Sequence, residues 1–197
     1  DLAPLPYYSI ATGTIDGVPG YLCRTGYTGE DGFEVLVPST SAVQIFNALL
    51  NTGITACGLA ARDTLRLEAG MPLYGHELNL NINPYQAGFG RVVKLDREED
   101  FVGKSALAAL SVQEQDKALV GLTGNGKRAA RAEYKIYSGE TEIGEITSGA
   151  LSPTLGYPVA LGYVSKANSE IGTEVSVDIR GTRLPMTVVK LPFYKRK

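Results

Sequence analysis

The sequence predicts an α+β protein in two parts, a mixed α/β region over residues 1–112 and a small all-β barrel or sandwich over residues 113–197. Three observations predict this. One amphipathic helical pattern stands out near residues 41–53, among short β-like runs. A polar, charged break falls at residues 111–116. Beyond it, short apolar runs recur with turn residues between them, the texture of a small closed or sandwiched β domain.

Residues 1–19, rich in Pro, Gly and Tyr, suit a strand or an irregular lead-in. Residues 21–25 and 33–37 read as strands. The segment between them holds Gly26, Gly29 and the pair Asp31-Gly32, which predicts a hairpin whose turn uses positive φ, with Pro38 closing the second strand. Ser39, Thr40 and Ser41 offer helix caps. Val43, Phe46, Leu49 and Leu50 follow at helical spacing, and Gly53 supplies a stop. Residues 58–68 form a second helical pattern stopped by Gly70. Asn83-Pro84 opens a brief helix, residues 89–95 read as a strand, and residues 105–110 as a short helix. Six strands follow, at residues 118–122, 134–137, 143–147, 159–164, 174–179 and 184–189. In the last two, Val175, Val177 and Ile179 share a face, as do Leu184, Met186 and Val188, with residues 180–183 as the connecting loop.

Composition narrows the function classes. The 197 residues carry a net charge of −2, and the one basic cluster is Lys195-Arg196-Lys197, so no nucleic-acid partner is expected. No run of about 18 apolar residues exists, so no helical membrane span is expected. Cys23 and Cys57 match no zinc spacing and are expected to be buried, reduced thiols in a reducing compartment. A single histidine, His76, excludes a multi-histidine metal centre, and no metal is expected. The chain begins at Asp1, with no targeting segment legible.

Three segments could carry chemistry. A glycine-rich turn lets bare backbone approach a ligand, and Glu34 just after it could accept parallel N–H bonds from a planar heterocycle; a solvated surface turn is the plainer alternative. In residues 58–70, Arg62 and Arg66 share a helix face, as do Thr64 and Glu68. Arg62 could fork onto a ligand carboxylate or ring oxygen; intrahelical pairing of Asp63 with Arg66, or Arg66 with Glu68, competes with this. In residues 71–78, Tyr74 could stack on a ring or hydrogen-bond it. His76 beside Glu77 suggests acid–base chemistry, but no serine or cysteine nucleophile has a recognisable motif nearby, which favours a surface or capping histidine.

Taken in order, Gly26-Tyr27-Thr28-Gly29-Glu30-Asp31-Gly32-Phe33-Glu34, then Cys57-Gly58-Leu59-Ala60-Ala61-Arg62-Asp63-Thr64-Leu65-Arg66-Leu67-Glu68-Ala69-Gly70, then Leu73-Tyr74-Gly75-His76-Glu77-Leu78 resemble the signatures of the glycine cleavage T-protein (aminomethyltransferase) family. The resemblance continues through Phe101-Val102-Gly103-Lys104-Ser105-Ala106-Leu107 and Gly144-Glu145-Ile146-Thr147-Ser148-Gly149-Ala150-Leu151-Ser152-Pro153-Thr154-Leu155, with Ala160-Leu161-Gly162-Tyr163-Val164 after them. It implies a one-carbon transfer from an aminomethyl group on the lipoyl arm of the H-protein to tetrahydrofolate, with release of ammonia. It implies that residues 1–112 are the C-terminal part of the folate-binding domain, incomplete by itself, and that residues 113–197 are a β-barrel. On the same resemblance Glu34 grips the pterin edge, Arg62 contacts the folate, and Tyr74 and Tyr194 lie near it. The family's catalytic aspartate matches no position in this chain, which is therefore expected to be inactive alone. The resemblance implies a cytoplasmic location in a bacterium or the mitochondrial matrix in a eukaryote. Within the wider superfamily, the folate domain of a demethylase or oxidase, or a non-catalytic folate-binding relative, are the competing readings.

Overall fold

Strands β1 (Ile10–Ile15), β2 (Val18–Cys23) and β3 (Glu34–Leu36) form an antiparallel sheet in sequence order. In this computed structural model, which describes residues 2–196, the lead-in expected over residues 1–19 thus contains a full strand. Asp16 and Gly17, both at positive φ, join β1 to β2 in the two-residue geometry that matches strand twist. The expected β2–β3 hairpin is present, but of the glycines in its loop only Gly29 takes a positive φ, 75°. The remainder of that loop is held by side chains.

A 3-10 turn at Ser39–Ser41 leads into α1 (Ala42–Leu50). Ser41 occupies the N-cap position, yet its side chain makes no capping hydrogen bond. Gly53, at φ 87°, closes the end by donating its N–H to Leu50 O at 2.9 Å. Then α2 (Leu59–Glu68) runs to Gly70, whose φ of 67° ends it. A β-carbon on Gly70 would also meet Leu191 and Pro192 at 3.3 Å, so the stop doubles as a close contact.

The next two sequence expectations need correction. Asn83-Pro84 opens a single turn and not a helix: the Asn83 side chain accepts the N–H groups of Tyr85 (2.9 Å) and Gln86 (3.0 Å), and Gly88 at φ 77° breaks the chain. Residues 89–95 form no strand but a 3-10 turn at Gly90–Val92. Their backbone is satisfied locally, Phe89 N–H to Pro84 O at 2.7 Å and Val92 N–H to Phe89 O at 3.0 Å, which leaves the run Val92-Val93 without a ladder to join. The expected short helix follows as α3 (Lys104–Ser111).

The rest is a closed barrel. Strands β4 (Lys117–Gly124), β5 (Lys135–Ser138), β6 (Thr141–Leu151), β7 (Pro158–Ser165), β8 (Glu174–Ile179) and β9 (Thr182–Val189) pair antiparallel in the order β4-β7-β6-β5-β8-β9, and β9 returns to β4. Closure leaves no free edge, which decides between barrel and sandwich. The interior holds Val120, Leu122, Ile136, Ile146, Val164, Val177, Met186 and Val188. The register Val175↔Met186 and Val177↔Leu184 brings the two alternating apolar sets onto that one interior face. Their connection is tighter than expected, just Arg180 and Gly181 at positive φ.

Strand β7 reads as an almost continuous apolar run because both its faces are covered. Ala160 and Val164 point into the barrel. Val159 and Leu161 form a second cluster with Leu67, backed by Leu191 and Phe193. The described residues divide into two compact units, one reaching Arg66 and taking in Arg196, the other Leu67–Lys195. The cysteines are both free thiols, but neither is buried as expected: Cys23 on β2 is half-buried, and Cys57, in the loop before α2, is exposed. An apolar flanking sequence does not bury a thiol when no element packs over it.

Candidate functional site

Glu34 opens β3 opposite Cys23 in the register. It is exposed, and among the described residues its carboxylate takes part in no hydrogen bond or ion pair. A strand backbone fixes where it starts, and nothing in the first unit competes for its oxygens. The loop that delivers it is organised by Arg24, at the end of β2. The guanidinium donates Nε to Asp31 Oδ1 at 3.1 Å and Nη2 to Asp31 Oδ2 at 2.8 Å, a two-pronged pair. It also donates Nη1 to Leu5 O at 2.7 Å and lies 5.8 Å from the Phe33 ring centroid. Hydrogen bonding to Arg24 holds the Asp31 carboxyl below the usual carboxylate range. No spacing rule in the sequence marks Arg24 and Asp31 as partners.

Arg62 projects from the second turn of α2, exposed, with its guanidinium carbon 4.8 Å from the centroid of Tyr27. That is cation–π distance. It joins two of the sequence segments, the glycine-rich loop and α2, through a residue that sequence reading left without a role. Arg66, on the same helix face, behaves differently: it is buried and pairs with Asp63 through Nε and Nη2, each at 2.8 Å. The intrahelical pairing that competed for these residues is therefore real for Arg66, and Arg62 is left facing an aromatic ring.

In the second unit Tyr74 is 69% exposed, on a tight loop where Leu73 O accepts the N–H groups of His76, Glu77 and Leu78. His76 is a clasp. Its Nδ1 lies 2.8 Å from Thr147 O, a carbonyl that only accepts, so Nδ1 carries the proton. Thr147 sits where the β6–β7 register shifts, and a bulge turns its carbonyl out of the ladder. Glu77 is fully buried and accepts the Leu73 N–H at 2.8 Å, while its own carbonyl takes the Tyr163 hydroxyl at 2.8 Å. Burial first, and the Glu77 charge second, push the Tyr163 hydroxyl far above the ordinary tyrosine range. The neighbours His76 and Glu77 thus serve the loop that presents Tyr74.

Glu68 escaped the sequence reading as an anchor. It is 2% exposed, and its carboxylate accepts the Thr154 N–H at 3.0 Å, the Thr154 hydroxyl at 2.8 Å and the Ser152 hydroxyl. Its backbone carbonyl takes the N–H of Tyr194 at 2.8 Å. One residue therefore ties the last turn of α2 to the β6–β7 turn and to the segment bearing Tyr194. The only sequence sign is a glutamate without a cation at helical spacing on its own face. Among the described residues, no group of His, Cys, Asp and Glu side chains is placed to hold a metal ion.

Comparison with known proteins adds to this geometry. The family profile described as GCVT N-terminal domain matches residues 1–97, and the glycine cleavage T-protein C-terminal barrel domain matches residues 117–195. An aminomethyltransferase of Cutibacterium acnes is 53% identical over 199 residues, covering 100% of this chain and 53% of that protein. One from Streptomyces avermitilis is 53% identical over 205 residues, covering 100% of this chain and 55% of that protein. The crystal structure of glycine cleavage system aminomethyltransferase T from Bartonella henselae superposes with a TM-score of 0.83 at 34% identity, over 89% of this chain and 50% of that one. The chain spans about half the length of the curated relatives it matches.

Proposed function

The chain belongs to the glycine cleavage T-protein family, and on that premise we propose that it serves an aminomethyltransferase: a one-carbon unit passes from the aminomethyl-lipoyl arm of the H-protein to tetrahydrofolate, and ammonia is released. Residues 1–112 are the C-terminal part of the folate-binding domain, and residues 113–197 are the C-terminal barrel. The reaction belongs in the cytoplasm if the source is a bacterium and in the mitochondrial matrix if it is a eukaryote.

The observation that carries the reading is Glu34, a strand-anchored carboxylate that the first unit leaves free. Tetrahydrofolate presents a planar ring edge rich in N–H donors and an anionic tail. A free carboxylate for the ring and a cation for the tail are its chemical complement. Arg62, stacked on Tyr27, is that cation: the ring restricts the guanidinium while its N–H fork stays available. Tyr74 and Tyr194 are assigned to the folate on family resemblance. The transfer asks little covalent chemistry of these residues. They hold the folate nitrogen in line with the reacting carbon and keep water away from it.

The test is calorimetric titration with tetrahydrofolate under reducing, anaerobic conditions. In the full-length protein, Glu34→Ala is expected to weaken binding by about 1–3 kcal/mol, the cost of an unmatched charge-assisted hydrogen bond. An affinity unchanged by that substitution removes Glu34 from the pterin.

A further inference from the structure

We infer that Asn125 is a modification site, deamidating through a cyclic imide closed by the backbone nitrogen of Gly126. Strand β4 ends at Gly124, paired with Met186, and residues 125–127 form a bend outside the ladder. Asn125 and Gly126 are both exposed. Among the described residues the Asn125 carboxamide makes no hydrogen bond, and the Gly126 N–H is donated to no acceptor. Electrophile and nucleophile are thus both uncommitted. Gly126 has no β-carbon to obstruct the approach, and open space surrounds the position one would take. Lys127 and Arg128 follow, exposed, and nearby positive charge favours the amide anion that attacks.

Other asparagines lack this combination. Asn83 caps the N–H groups of Tyr85 and Gln86, Asn79 accepts the Asn81 N–H, and Asn168 donates to Ser165. Asn47 lies within α1, and Asn51 and Asn81 precede the β-branched Thr52 and Ile82.

In the first step the Gly126 nitrogen gives its proton to solvent base and bonds to Asn125 Cγ. The carboxamide C–N bond breaks, and ammonia leaves with a proton from solvent. Water then adds to either imide carbonyl, opening the ring to aspartate or to isoaspartate. The net change consumes one water, releases one ammonia and involves no redox. It places a new carboxylate on a cavity of about 480 Å³ at this end of the barrel, which Tyr157, Glu174 and Thr187 also line. The inference is independent of the folate reading.

The test is incubation of the protein in mildly alkaline buffer, with peptide mass spectrometry and methyl labelling by an isoaspartyl methyltransferase. Asn125 is expected to be the first asparagine converted, with isoaspartate among its products. Gly126→Ala is expected to slow conversion about tenfold, roughly 1.4 kcal/mol in the barrier. Because alanine at φ 82° strains the bend, Asn125→Gln provides a second arm, expected to remove the early methyl label. Earlier conversion of another asparagine, or an Asn125 product free of isoaspartate, overturns the inference.

Discussion

The barrel β4–β9 and the sheet β1–β3 are both antiparallel, but they treat their side chains differently. In the barrel, alternate residues of every long strand enter one closed interior, where Leu122, Ile136, Ile146 and Val177 are fully buried. In the sheet, all of β3 is exposed, and Ile10, Tyr21 and Leu36 are each more than half exposed. Order there comes from side chains bridging loops, Arg24 on Asp31 and Arg62 over Tyr27. A closed ladder with a dry interior is stable and chemically quiet. In this chain, which spans about half the length of its curated relatives, the sheet is lightly covered, and its unit carries Glu34 and Arg62 with their polar groups accessible.

The contrast can be broken most directly by cavity formation. Ile136→Ala is expected to cost about 4 kcal/mol in chemical denaturation, whereas Leu36→Ala on the exposed β3 should cost within about 0.5 kcal/mol of nothing. Equal costs would mean that the sheet is as tightly packed as the barrel. Next in size, Glu68→Ala removes the acceptor of Ser152 and Thr154 and is expected to cost about 2–3 kcal/mol in thermal or denaturant melts. A loss no larger than that of a surface substitution would show the anchor to be dispensable.

Tyr163→Phe sharpens the picture in the second unit, with an expected loss of about 1 kcal/mol from its bond to Glu77. The folded state raises the Tyr163 pKa, so its contribution is complete below the ordinary tyrosine value of about 10 and is lost as pH rises from there toward the folded value. The variant should lose that part of the alkaline fall in stability; an unchanged alkaline limb would contradict the assignment. The smallest effect is expected at Asp31. Its folded pKa is depressed by Arg24, so its contribution is present above the ordinary carboxylate value and disappears as pH falls through the folded one. Asp31→Asn should flatten the acid limb slightly, and less so at high salt, because the pair is exposed and screened.

Legibility followed the range of the interactions. Strand β8 is read from its alternation to the residue, α1 from apolar spacing, and the ends of α1 and α2 from their glycine stops, since period and φ are local properties. Residues 89–95 look like a strand by composition but find no partner to pair with. Cys57 has apolar neighbours in sequence and solvent around it in space. Motifs single out Glu34 and Arg62 as candidates, whereas the contacts of Tyr27 with Arg62, Arg24 with Asp31, and Glu68 with the Ser152–Thr154 turn are not legible in them.

By itself, then, the sequence determined the two textures of this protein, the places of its helices and barrel strands, and the family motifs, because hydrophobic period, turn chemistry and glycine stops act over a few residues. Tertiary structure alone decided the strand order in which the barrel closes, that Val159 and Leu161 are covered on the outer face of β7, and that Glu68 is an anchor. Those outcomes depend on partners up to 86 residues away, as Glu68 and Thr154 are, and no local pattern encodes which distant group will meet a buried carboxylate.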